Sequence, residues 1–368
     1  MMDYEGRIAR LAARLSDAHV DALLVTNLTN VRYLTGFSGT NAQLLVTPGG
    51  ATFLTDPRYR ARAADLVRGA DVAIYSNPTT GGLTGELPAH VARASAARVG
   101  VEAATMTIAV RDAVAAALPD VEIAPTHGLV EDLRRVKDTE EIALVREAVR
   151  LADETFERVL DRVVPGVTEA EIALEIEVAA RRAGGDGVSF DPIVGSGPLS
   201  AHIHHTASDR VLELGDVVLL DLGARLDGYC SDLTRTVVLG PAPDDVAELY
   251  DVVLRAQTAG IEAVRAGAVT GDVDRAARGV IADAGHGELF GHGLGHGVGL
   301  DIHEAPRLYE PGTDTLRAGD VVTVEPGVYV PGRAGVRIED CVLVGDDGGE
   351  VLGKAPKDRL VELRRGPS

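Results

Sequence analysis

The segment Gly215-Asp-Val-Val-Leu-Leu-Asp221 returns 104 residues later as Gly319-Asp-Val-Val-Thr-Val-Glu325. Each copy is a nearly continuous apolar run closed by an acid, a pattern that predicts a strand buried on both faces. The correspondence extends outward. Upstream, Pro165-Gly-Val-Thr168 and the helix after it are matched by Gly267-Ala-Val-Thr270 and its helix. Downstream, the first copy runs on through Asp232 to Val238 and the second through Glu339 to Leu343. A period this long does not suit a solenoid, so it predicts two related halves packed face to face. One acid ends the first strand of each half and another is expected inside the second. Four carboxylates, Asp221, Asp232, Glu325 and Glu339, therefore fall at equivalent places.

The repeat occupies only the later part of a 368-residue chain, too long for a single small domain. Residues 1–127 read as a separate α/β domain. Asp21–Val25, Ala42–Thr47 and Ala51–Thr55 are strand-like runs split by Gly and Pro, and Glu5–Leu15 and Arg111–Leu118 are helical. Residues 128–368 form the second domain. Its first helix starts at Asp138 with Glu141 three residues on, and Ile142, Val145, Val149, Ala152 and Phe156 keep one apolar face. Pro165-Gly166 ends that helix. A second runs from Thr168 to Gly184-Gly185, and another lies between Asp244 and Arg265.

Composition narrows the function. A net charge of −20 repels phosphate backbones and argues against nucleic acid as a partner. No apolar stretch approaches the roughly 20 residues of a membrane span, and the acidic start Met1–Glu5 is not a secretory signal. Two cysteines build no disulfide framework, so a cytoplasmic location is expected.

The four acids carry the chemistry. A carboxylate on a strand buried on both faces is costly unless something pairs with it. The surrounding segments hold too few basic residues to pair all four, so cations are the economical partner. A fifth element is His292-Gly-Leu-Gly-His296-Gly-Val-Gly-Leu-Asp-Ile-His303-Glu304. Three histidines in twelve residues, in a Gly-rich frame, are poorly explained as core residues. Oxygen donors joined by an imidazole suit Mn²⁺, Co²⁺ or Zn²⁺.

At this point the sequence resembles the creatinase/prolidase-like pita-bread metallopeptidases, bacterial Xaa-Pro dipeptidases and aminopeptidases among them. His292–Glu304 is similar to the proline-peptidase signature, and Asp221-Leu-Gly-Ala-Arg-Leu-Asp-Gly-Tyr-Cys-Ser-Asp232 to the family's paired aspartates. Glu325-Pro-Gly-Val-Tyr329 and Arg337-Ile-Glu339-Asp340 resemble its glutamate segments. Phe190–Gly197 matches a further block, and Asn30-Val-Arg-Tyr-Leu-Thr-Gly-Phe37 resembles the accessory domain. The likeness spans essentially the whole chain. It implies an α/β (α+β) protein: a creatinase-like N-terminal domain, then a pita-bread domain with an internal pseudo-twofold.

The resemblance also implies roles. Asp221, Asp232, His296, Glu325 and Glu339 would hold two divalent ions, Mn²⁺ first, with Co²⁺ or Zn²⁺ as alternatives. Asp232 and Glu339 would bridge them, and a hydroxide between the ions would attack the peptide. His303 would stabilise the tetrahedral intermediate, His204 would stand near substrate, His292 would hydrogen-bond within the site and Arg337 would orient the ligands. Short proline-containing peptides are the implied substrates, a homodimer the implied assembly, and Tyr329 an implied substrate contact. Arg307 matches an arginine that some prolidases use for a dipeptide's carboxylate, which favours prolidase slightly over aminopeptidase. The plain alternative is a surface arginine.

Other readings are weaker. A non-catalytic binding module or a metal-free amidinohydrolase on this fold would depart at the ligand positions, and all five are present. His202 and His205 read as solvent-exposed; on a regular strand His202 would share the face of His204. Cys230 and Cys341 read as small buried hydrophobes rather than ligands.

Overall fold

The structure, a computed structural model, describes residues 2–75 and 82–363. It divides into two compact units, Met1–Arg134 and Arg135–Ser368. The first unit comprises α1 (Tyr4–Ala13), β1 (Ala22–Val25), α2 (Leu28–Thr35), β2 (Gln43–Thr47), β3 (Gly50–Thr55), α3 (Arg60–Leu66) and β4 (Asp71–Ile74). It continues with α4 (Gly82–Arg93), β5 (Arg98–Glu102), α5 (Ile108–Ala117) and β6 (Glu122–Thr126). Its six strands form one sheet in the order β4-β3-β2-β1-β5-β6. Leu24, Leu45, Leu54 and Val99 from the sheet pack against Leu87 and Val91 of α4 and Val114 of α5. The Asn30–Phe37 motif forms most of α2 and its cap. Gly36 ends the helix at φ 80°, a left-handed value that favours glycine, and the fully buried Asn30 amide donates to Glu102 and Glu131.

The second part of the chain begins with α6 (Glu131–Arg135), whose last residue opens the second unit, followed by α7 (Thr139–Leu160) and α8 (Glu169–Arg182). Both long helices start with a capping box, Asp138 with Glu141 and Thr168 with Glu171, as the spacing predicts. Then come β7 (Gly187–Val188), β8 (Ile193–Ser196), β9 (Val217–Leu222), β10 (Ala224–Leu226), β11 (Tyr229–Cys230) and β12 (Leu233–Leu239). The second half supplies α9 (Asp244–Ala263), α10 (Thr270–Asp283), β13 (Gly295–Gly297), β14 (Glu304–Leu308), β15 (Val321–Val324) and β16 (Gly327–Val330). It ends with β17 (Ala334–Arg337), β18 (Asp340–Val344), β19 (Gly349–Val351) and β20 (Val361–Leu363).

The repeat is visible in the hydrogen bonding. One sheet runs β20-β12-β9-β8 and the other β14-β13-β15-β18-β19, so β12-β9-β8 in the first half matches β18-β15-β13 in the second. An isolated bridge joins Thr168 to Val211, and its counterpart joins Val269 to Thr315. Each half has its own apolar core. Phe156, Ile172, Ile176, Val218 and Leu220 meet in one; Val253, Val273, Ile281, Val322 and Val324 meet in the other.

Two local expectations are corrected. Asp232 and Glu339 lie not inside strands but in the breaks just before β12 and β18. A side chain in a break is freed from the pleat's strict alternation, and the Glu339 backbone N–H bonds across to Thr234 O instead. The segment holding His202, His204 and His205 is not a strand either: a 3₁₀ turn, Gly197–Ala201, leads into it, so alternation does not place these histidines.

Candidate metal centre

The two equivalent sheets bring the four acids together, all in the second unit. Asp221 is on β9, paired with Ile193 of β8 on one side and Thr234 of β12 on the other. Glu325 follows β15. Asp221, Asp232 and Glu339 are buried, and Glu325 keeps 17% side-chain exposure. With His204, His205, His292, His296, His303, Arg307 and Arg337 they line a cavity of about 900 Å³. Phe190, Ile203, Ile302 and Leu308 give it an apolar wall.

Arg337 is the cation buried among the acids. Its Nη2 donates to Asp221 Oδ2, its Nε to Thr234 Oγ1 at 3.1 Å and its Nη1 to Tyr329 Oη at 2.9 Å. Thr234 Oγ1 in turn donates to Glu339 Oε2. Burial opposes the guanidinium charge, but Tyr329, Asp221, Glu325 and Glu339 around it raise its pKa well above the usual value.

One guanidinium does not balance four carboxylates. Burial pushes all of them up. Asp232 rises well above the usual range, with Glu339, Asp221 and Glu325 adding repulsion, and Glu339 likewise beside Glu325 and Asp221. Glu325 is raised to about 7 by burial, and Asp221 rises despite Arg337. These groups ionise together only with more positive charge among them.

His296 sharpens that conclusion. Burial lowers its pKa to about 4, so the ring is neutral at pH 7. Its Nδ1 lies 3.1 Å from Gly297 O, which fixes the proton on Nδ1 and leaves a lone pair on Nε2. That lone pair faces Glu325 Oε1 at 3.4 Å and Asp232 Oδ2 at 3.6 Å. Three acceptors pointed at one another repel unless a cation lies between them. Asp221 Oδ1 is also buried with no hydrogen-bond partner. Asp232, His296 and Glu339 each offer a ligand atom within 4.8 Å of the others. The donor set fits a divalent metal.

The remaining site residues fall into two groups. His303 stacks edge-on to His296, ring centroids 4.3 Å apart, and burial with Arg307 nearby lowers its pKa. Arg307 is exposed on β14, directly opposite His296 across the β13–β14 ladder. His292, lowered to about 4 by burial, donates from Nδ1 to Gly293 O at 2.8 Å and accepts at Nε2 from the Tyr329 hydroxyl at 2.9 Å. Tyr329, expected as a substrate contact, is 5% exposed and is not among the residues that line the cavity. Its hydroxyl bonds to His292 and Arg337. His202 is exposed and does not line the cavity, whereas His205 does, its Nε2 2.8 Å from Glu169. Cys230 and Cys341 are buried thiols, and burial raises Cys230 to about 11.

Sequence reasoning missed Thr234 and Thr323, whose hydroxyls hold Glu339 and Glu325. Thr323 left a signal, as the polar residue inside Val321–Val324. Glu304 closes the His292–Glu304 signature, but the lysine it pairs with at 3.2 Å, Lys137, left no signal.

Comparison with known proteins decides the family. The creatinase/prolidase N-terminal domain matches residues 7–136, and metallopeptidase family M24 matches residues 143–346. The chain belongs to metallopeptidase family M24. It is 38% identical over 355 residues to an uncharacterised peptidase of Bacillus subtilis, covering 96% of this chain and 99% of that one. Among solved structures, an Xaa-Pro dipeptidase from Bacillus anthracis superposes with a TM-score of 0.94 at 40% identity, covering 98% and 100% of the two chains. An X-Pro aminopeptidase from Thermotoga maritima gives 0.88 at 33% identity, covering 95% and 99%. The prolidase from Pyrococcus horikoshii gives 0.91 at 30%, covering 96% and 100%. The expected family and the two-part fold class are both borne out. As an M24 metallopeptidase the chain uses divalent metal and acts on peptides. No helix among the described residues is long and apolar enough to cross a membrane.

Proposed function

We propose that this M24 peptidase hydrolyses Xaa-Pro bonds at the N-terminus of dipeptides or short peptides, with prolidase activity favoured over aminopeptidase activity. The observation that carries the metal-dependent reading is the His296 lone pair facing Glu325 and Asp232, where Arg337 is the cation buried among four clustered carboxylates. Asp221, Asp232, His296, Glu325 and Glu339 would hold two divalent ions, Mn²⁺ first among the candidates. Bound there, the ions supply a water of lowered pKa and polarise the scissile carbonyl.

The chain's own groups do the rest. His303, neutral at pH 7 and on the cavity wall, presents an N–H to the oxygen that gains charge as the carbonyl turns tetrahedral. His204 lines the same cavity and completes the substrate side. Tyr329 and Arg337 lock His292 and Asp221 from behind. Ile302, Ile203 and Phe190 exclude water around the bound peptide. Arg307 supports the prolidase reading. It lines the cavity beside His296 and, among the described residues, has no carboxylate partner, so it suits the C-terminal carboxylate of a dipeptide. A homodimer belongs to the same proposal, with light scattering as its test.

The deciding experiment is hydrolysis by chelator-stripped protein with and without Mn²⁺, Co²⁺ or Zn²⁺. Its substrates are an Xaa-Pro dipeptide, an Xaa-Pro-Yaa tripeptide and a proline-free control. Metal-dependent cleavage of the dipeptide alone supports prolidase activity, and cleavage of both supports an aminopeptidase. No cleavage by metal-loaded protein overturns the proposal.

A further inference from the structure

The segment 197–207 carries His204 and His205 into the cavity, yet it contains no strand. One of its residues and the two serines that flank it converge instead on one carboxylate, Glu169, at the first turn of α8. At one end, Ser196 donates to Glu169 Oε1 from its backbone N at 2.8 Å and its Oγ at 2.6 Å. At the other end, Ser208 donates to Oε2 from its N at 3.1 Å and its Oγ at 2.6 Å. In the middle, His205 Nε2 donates to Oε2 at 2.8 Å. The Glu169 side chain is fully buried. All of its partners are donors, so it holds them as a carboxylate.

We propose that Glu169 is a positioning residue for His204, fixing the segment that presents this histidine to substrate by tying down both of its ends and its middle. The inference rests on the reading of His204 as a substrate-side group. It has a parallel in the second half of the repeat, on the equivalent helix α10. There the buried Asp274 accepts from Leu294 N at 2.9 Å and pairs with Arg278, which donates to Phe290 O and His292 O at 2.9 and 2.6 Å. In each half, a buried acid on the second helix anchors the segment that delivers histidines to the cavity. A few tenths of an ångström lost at such an anchor becomes a misaligned imidazole, and misalignment is costly in rate.

Glu169→Gln tests this. The amide keeps the shape but sets an NH₂ against groups that donate. The expected outcome is a kcat for the Xaa-Pro dipeptide lowered roughly 10- to 100-fold, with KM and bound metal unchanged. Combined with His204→Ala, the loss should be no greater than for His204→Ala alone, because both changes remove one function. In metal-free protein labelled with ¹⁵N-histidine, Glu169→Gln should move the His204 and His205 ring resonances and leave those of His292 and His296 in place. Ser208→Ala, a milder change, should move them the same way by less. Additive losses, or an unmoved His204 resonance in both variants, overturn the proposal. Full activity in His204→Ala overturns the catalytic role of His204 and the proposal with it. If the wild-type protein fails to cleave Xaa-Pro substrates, the functional reading falls, and the resonances alone decide whether Glu169 fixes His204.

Discussion

Arg307 and His296 are direct partners across the β13–β14 ladder, on one face and on one cavity wall. Cross-strand partners of this kind hold their side chains about 5 Å apart at Cβ, so a peptide held at His296 has its far end within reach of Arg307. Arg307→Ala should raise KM for an Xaa-Pro dipeptide by roughly 10- to 100-fold, the worth of a charge-assisted hydrogen bond. KM for an Xaa-Pro-Yaa tripeptide should change little. Steady-state kinetics on both substrates check this, and equal effects on the two would sink the carboxylate clamp.

Metal removal should alter the pH dependence of stability. Glu325 is raised from 4.5 to about 7 in the folded chain. Between those values the folded state holds more protons than the unfolded one, so stability falls as pH rises through that window. Chelator-treated protein should therefore lose up to roughly 3 kcal/mol between about pH 4.5 and 7 from this group. Added Mn²⁺ should raise Tm more at pH 7.5 than at pH 5, because the ligands then bind without protons to displace. Thermal melts across pH, with and without metal, measure both effects.

Tyr329→Phe separates a role behind the site from one against substrate. The hydroxyl links Arg337 Nη1 to His292 Nε2. Its loss leaves both buried groups short of a partner, at a cost of about 1–3 kcal/mol. Stability and kcat should fall while KM stays within about twofold. A large rise in KM with unchanged Tm would restore Tyr329 as a substrate contact.

Lys137→Met should destabilise the protein by roughly 3–5 kcal/mol, because it breaks a buried pair with Glu304. The Lys137 side chain is 1% exposed and that of Glu304 7%. Glu304 also accepts from Asp301 N at 3.0 Å, so the loop bearing His303 should loosen and kcat fall. Changing Glu304 to leucine in the same protein should recover much of the stability but not the activity. Denaturant melts and kinetics on the single and double variants test it.

Much of this was legible in the chain because strand and helix signals are local. Asp138–Glu141 and Thr168–Glu171 announce their helices, and the Gly215 and Gly319 segments announce a duplicated strand. The four acids were legible from the repeat, and the resemblance added His296 to the proposed ligand set. What was not legible depends on contacts between residues far apart in sequence. The Tyr329 hydroxyl is committed to His292 and Arg337 by tertiary packing, and no neighbouring residue says so. His205 reads as exposed because its partner Glu169 is 36 residues away. The breaks that hold Asp232 and Glu339 lie within runs whose periodicity looks unbroken.

The ladders give the pseudo-twofold an asymmetry at one position. Val322 of β15 faces Gly297, and its repeat mate Val218 in β9 faces Ser196. One residue back along each edge, His296 therefore corresponds to Gly195. A side chain does not enter freely there, since a Cβ on Gly195 would lie 3.0 Å from Leu199 O. Duplication thus supplied matched acids, but Gly195 carries no counterpart of the His296 imidazole. Two cations placed among these ligands would occupy inequivalent seats, and a Mn²⁺ titration of the stripped protein should show two steps of unequal affinity.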